Sequence, residues 1–188
     1  MSRSIDQNFL EGARKLFRYY KKLGEGALAQ LTDEQVLSQP NPASNSIALI
    51  VHHLSGNMLS RWTDFLTTDG EKSWRNREAE FEKTYPDKKE MMEAWEKGWK
   101  CLLDAVDQLK PGDLSTIVYI HNEGQTVLEA VQRQLAHYPH HVGQIIFQAK
   151  ILKGSAFQSL SIPKGNSEKY NEEKFNQQKE NRHFTDLA

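Results

Sequence analysis

The 188 residues exceed the roughly 150-residue expectation for one domain and fall short of two, so one compact domain with an extension is expected. A mean hydropathy of -0.70 is low, yet 4 Trp, 6 Tyr and 8 Phe are too many for a disordered chain. The 24 basic and 25 acidic residues leave a net charge of -1, which argues against nucleic acid as a partner, and the single cysteine, Cys101, excludes an intramolecular disulfide framework and any multi-cysteine zinc site.

The opening MSRSIDQNFLEGARKLF has no apolar core for export, and no apolar run approaches the roughly 20 residues that span a bilayer, so a cytoplasmic protein without membrane contact is expected. From Ile5, apolar residues at Phe9, Leu10, Ala13, Leu16, Phe17, Tyr20 and Leu23 recur three and four apart, which predicts an amphipathic helix ending near Leu31. The segment LSQPNPASNS carries two prolines and helix-capping residues, with Ser44 or Asn45 as the expected cap of a second helix. Ile47, Ile50, His53, Leu54, Met58, Trp62, Phe65 and Leu66 give that helix its stripe, the most apolar to this point in the chain.

Thr67 to Lys83 (TTDGEKSWRNREAEFEK) opens on a turn signal, is dense in charge and lacks clear periodicity, so it reads as a long connection of the kind that often carries function. Pro86 and Asp87 precede a third helix with Met91, Trp95, Leu102, Val106 and Leu109 on one stripe, stopped by Pro111-Gly112. Ile117 to Ile120 followed by Asn122-Glu123-Gly124 predicts a short extended piece or hairpin. Thr126 with Glu129 forms a capping box ahead of a fourth helix, whose apolar positions run from Val127 to Leu152 and stop at Gly154. Four long helices make an all-α four-helix bundle the expected fold, occupying residues 1–163, with a polar, solvated extension over 164–188.

The chemistry-bearing residues are histidines. His137 and His141 are four apart on the fourth helix, about 5 to 6 Å apart at Cβ, a separation two imidazoles can close onto one metal. On the second helix His53 lies beside the stripe of Ile50, Leu54 and Met58 and is expected to point inward, toward the other two. Three buried imidazoles without an ion would each need a donor or acceptor in an aliphatic core, at a cost of about 1 to 3 kcal/mol apiece if unmet. Three neutral ligands leave a divalent ion charged and with an open position, the pattern of a catalytic site.

Asn57, four after His53, and Gln144, three after His141, are placed to orient a ring or a bound water, and Arg133, four before His137, to meet an anionic ligand. Pro139 removes the helical hydrogen bond to the Leu135 carbonyl, so a bend near the site is expected. His52 and His140 read as packing or surface residues, His121 as a residue that hangs over the site, Trp95 and Trp99 as core, and Cys101 as an inert thiol.

The phrases IALIVHHLSGNM and LAHYPHHVGQII, with the four-helix order, resemble the DinB/YfiT-like superfamily, and FLTTDGEKSWRNREAEFE is similar to its DUF1572 branch. The resemblance reaches to about Pro163. It implies a bundle in which His53, His137 and His141 bind one divalent metal ion, zinc or nickel, and it is compatible with a homodimer. It further implies a metal-dependent transferase that adds a small-molecule thiol of the bacillithiol type to electrophiles. The alternative is a non-catalytic metal-binding or stress-associated bundle. A cavity beside the histidines, lined by the 67–83 connection, would favour the enzyme.

Overall fold

In the computed structural model, which describes residues 3–82 and 84–187, the stripe beginning at Ile5 forms α1 (Ile5–Leu28). Ser4 starts it: its hydroxyl accepts the Gln7 N–H while the Gln7 side chain accepts the Ser4 N–H. The helix stops three residues before Leu31, because Thr32 caps a further short helix, α2 (Asp33–Leu37), whose Val36 is buried. Helix α3 (Ile47–Trp62) is capped by Ser46, one residue beyond the expected Asn45, through the Leu49 N–H. It ends before Phe65 and Leu66, where Asp64 adopts φ 50° and turns the chain; Phe65 nonetheless returns to the core and Leu66 is exposed.

The charged connection contains one helical turn, α4 (Ala79–Glu82), and its last expected residue, Lys83, lies outside the described residues. Helix α5 (Lys88–Gln108) begins at Asp87, which accepts the Glu90 N–H. The extended piece is an antiparallel hairpin of β1 (Ile117–Ile120) and β2 (Glu123–Thr126), with Ile120 opposite Glu123. Its two-residue turn is His121-Asn122, at φ 55° and 60°, one residue earlier than the Asn122-Glu123-Gly124 expected, since Glu123 and Gly124 are drawn into β2. The Thr126–Glu129 capping box opens α6 (Val127–Lys153), which continues through Pro139 as one helix and stops at Gly154, φ 55°.

The protein is mostly helical, with this hairpin its only sheet among the described residues. Helices α1, α3, α5 and α6 share one core, in which Phe17, Leu54, Trp95, Trp99 and Tyr138 are fully or almost fully buried. Helix α3 supplies the centre, with most of its residues buried. After Pro163, α7 (Ser167–Phe175) buries no side chain, whereas a turn at Phe184–Leu187 returns to α1. There Lys15 pairs with Asp186 at 2.7 Å and Phe184 meets the Tyr19 ring edge-on at 5.4 Å. Among the described residues no helix is long and apolar enough to cross a membrane.

Candidate metal centre

Two helices bring three imidazoles together. His53 projects from the middle of α3 into the interior, and His137 and His141 sit one turn apart on α6, half-buried. Their Nε2 atoms converge, with His137 3.1 Å from His141 and 3.4 Å from His53, and one ligand atom from each of the three lies within 4.8 Å of the others. A tetrahedral ion with Zn–N bonds of about 2.0 to 2.1 Å sets its nitrogens about 3.3 Å apart, so the spacing fits a single ion.

The opposite ring nitrogens decide what those Nε2 atoms carry. His53 Nδ1 faces Glu80 Oε2 at 3.0 Å, His137 Nδ1 faces Gln134 Oε1 at 3.1 Å, and His141 Nδ1 faces Gln144 Oε1 at 2.8 Å. Each partner is an acceptor, so each Nδ1 carries a proton and donates it outward, and a ring that holds one proton then has a bare Nε2. Three Nε2 lone pairs then face one point with no proton among them to share. A cation resolves that repulsion, and the donor set therefore fits a divalent ion. Burial, reinforced by the neighbouring histidines, pushes His137 from 6.5 down to about 3, and burial likewise lowers His141. Both act in the direction that keeps the rings neutral at pH 7.

Glu80 is 3% exposed, although it sits in the charged connection. Burial alone would raise its carboxyl, but hydrogen bonds from His53 and Arg75 prevail and hold it below the ordinary carboxylate range. Arg75 forks onto it, Nε to Oε1 at 2.7 Å and Nη2 to Oε2 at 3.0 Å. Arg75 also reaches Glu71 at 3.4 Å, and Glu71 in turn receives Arg61 at 2.9 Å. The carboxylate gets this close to α3 because residue 56 is glycine: a Cβ there would lie 2.3 Å from Glu80 Oε1.

A cavity of about 360 Å³ opens against His53 and His137. Its walls carry Arg61, Arg75, Arg77 and Arg133, with His121 at the hairpin tip. Asp69 ties that tip to the connection by accepting the backbone N–H groups of His121 at 3.0 Å and Asn122 at 2.9 Å, and the Gly70 N–H donates to the Tyr119 carbonyl at 2.8 Å. A larger hollow, about 870 Å³, runs between α1 and residues 181–186 and touches none of the three histidines.

Of the residues singled out by spacing, Gln144 holds His141, and Arg133 lines the cavity. Asn57 also lines the cavity but orients no histidine: its Oδ1 accepts the Tyr138 hydroxyl at 3.0 Å, which itself accepts the Trp62 indole N–H at 2.9 Å. His52 lies against Tyr85, and His140 accepts from the Gln144 amide. Cys101 is half-buried beside the Thr63 hydroxyl, while Trp95 and Trp99 are core residues. Sequence reasoning missed Glu80, Arg75 and Gln134. Gln134 stands three before His137, the mirror of the spacing that singled out Gln144, and Gly56 inside an otherwise apolar helix was the one signal of a close approach.

Residues 4–166 match the family described as "Protein of unknown function (DUF1572)". No curated protein matches the chain.

Proposed function

We propose that this chain, which belongs to the DUF1572 family, is a four-helix bundle of the DinB/YfiT-like type that binds one divalent metal ion, zinc or nickel, through His53, His137 and His141. The observation that carries this reading is the convergence of three Nε2 lone pairs whose Nδ1 protons are all engaged by oxygen acceptors. We take the activity to be transfer of a low-molecular-weight thiol to an electrophile. An ion at that point supplies the positive charge that keeps a thiol cosubstrate ionised at neutral pH.

The chain's own groups do the rest. Glu80 accepts a hydrogen bond from the His53 Nδ1–H and fixes that ring; Gln134 and Gln144 do the same for His137 and His141. The cavity against His53 and His137 gives a small molecule access to the imidazole cluster, and Arg75 and Arg77 of the connection line it. That access favours the enzyme over a bundle whose ion is sealed by side chains.

Elemental analysis of the native protein, followed by a thiol-transfer panel, tests the reading. The expected result is one divalent ion per chain, lost in His137→Ala. After cobalt substitution, an added thiol should produce a sulfur-to-cobalt charge-transfer band. Unchanged metal content in His137→Ala refutes the ligand assignment; a spectrum silent to several thiols refutes the transferase and leaves the metal-binding bundle.

A further inference from the structure

We infer that the cavity beside the three histidines is an anion subsite, in which Arg77 and Arg133 receive the carboxylate or phosphate group of a small-molecule ligand. Four of the chain's eight arginines line this one hollow, and none of its described lysines does. A chain with net charge -1 has no surplus of positive charge to scatter, so the concentration is local and selects the guanidinium in particular. Arginine presents a planar fork of N–H donors that matches carboxylate and phosphate oxygens in pairs, which the point charge of lysine does not.

The four are not equivalent. Arg75 is spent on Glu80 and Glu71, and Arg61 on Glu71 at 2.9 Å and the Gly70 carbonyl at 2.5 Å. Both side chains are nearly inaccessible, at 3% and 8%, and act as fixed walls. Arg77 and Arg133 have no carboxylate partner among the described residues, and the Arg77 guanidinium lies over the face of Phe81, at 5.9 Å. They come from different elements, Arg77 from the connection and Arg133 from α6, one turn before His137. A hollow of about 360 Å³ suits a small molecule. Arg77 and Arg133 are themselves exposed, so they stand at the solvent side of the hollow, where an entering anion can meet both forks while the buried Arg61 and Arg75 add positive charge behind it.

That the same molecule presents its reacting group to the histidines rests on the metal reading above; the anion subsite itself needs only the arginines. The test uses the full chain, zinc-free and zinc-loaded, titrated calorimetrically with succinate and, separately, with phenyl phosphate. Saturable binding of at least one is expected, with the tighter of the two assigning the oxyanion. Binding should weaken about tenfold or more, about 1.4 kcal/mol, in the Arg77→Gln/Arg133→Gln double variant, since both charge-assisted forks are then lost. Arg77→Lys/Arg133→Lys should fall between, keeping the charge and losing the fork. Lys169→Gln/Lys174→Gln on α7 should bind like the wild type.

Zinc stoichiometry should be unchanged in the Gln double variant, because neither residue is a ligand. Anion binding that depends on Arg77 and Arg133 in a chain that takes no zinc overturns the metal reading and keeps this one. No saturable binding, or equal binding by wild type and both arginine variants, overturns the anion subsite whatever the zinc content.

Discussion

Glu80→Gln separates the charge of the buried carboxylate from its shape. Glutamine still offers an oxygen to the His53 Nδ1–H, so ring orientation is retained, but the negative charge that His53 and Arg75 share is gone. Loss of such an outer partner weakens metal binding by about 10- to 100-fold, or about 1.4 to 2.8 kcal/mol. Arg75 is left nearly inaccessible beside a neutral amide, and removing one member of a buried pair costs about 3 to 5 kcal/mol. Glu71, 3.4 Å from Arg75, keeps part of the compensation and places the loss near the lower end. For a chain of this size about 3 kcal/mol lowers the unfolding midpoint by roughly 6 to 12 °C. Zinc competition against a chromophoric chelator reads the first quantity, and thermal unfolding of the metal-free protein reads the second. A variant with wild-type zinc affinity and a lowered midpoint would show Glu80 to be purely structural. A variant unchanged in both would refute the account of the network.

Gly56→Ala should shift the Glu80 carboxylate away from His53, because the new Cβ would sit 2.3 Å from Oε1; zinc affinity should drop about tenfold while circular dichroism stays helical. Asp69 is held below its ordinary 3.8, first by the Glu71 N–H and then by the Asn122 and His121 N–H groups, so its contribution is complete above pH 3.8 and lost as pH falls through the lower folded value. Asp69→Asn should accordingly lower the hydrogen-exchange protection of the His121 and Asn122 amides at pH 7, and abolish the acid-induced loss of protection expected there in the wild type. Truncation after residue 165 should leave one cooperative unfolding transition, since α7 buries no side chain and the Lys15–Asp186 pair is solvent-exposed and screened; a broad or absent transition would contradict this.

The sequence revealed the three histidines because each lies on or beside the apolar stripe of a long helix, where helical periodicity fixes which way a side chain faces. Gln144 was legible for the same reason, being three residues from His141 on that face. Asn57 obeyed the same rule yet answers to Tyr138, a residue 81 positions away whose buried hydroxyl needed an acceptor. Glu80 was not legible. Its partner His53 is 27 residues distant, and the run WRNREAEFE has no period from which a face could be read, so a solvated connection was the natural expectation. Only tertiary placement of α4 against α3 turns that run into the floor of the site. The hairpin was readable from its β-branched residues, but its turn was not, because His121 and Asn122 both adopt positive φ while the glycine beside them does not occupy the turn.

The polar groups behind the site form a single row, His53, Glu80, Arg75, Glu71, Arg61, in which carboxylates and guanidinium groups alternate after the imidazole. Glu80 lies between His53 and Arg75, Arg75 between two carboxylates, and Glu71 between two guanidinium groups. Each is therefore offset from both sides, which is what makes their desolvation tolerable. Beyond Arg61 the row passes to the Gly70 carbonyl, and Gly70 is hydrogen-bonded to β1 while Asp69 grips the hairpin tip. The histidine cluster and the hairpin are thus the two ends of one framework built largely from the connection, and two of the four cavity arginines belong to it. Because those two are fixed, the cavity is shaped before a ligand arrives, and the cost of ordering its walls falls on folding rather than on binding. Arg77 and Arg133, outside the row, keep their donors for something that the described chain does not itself provide.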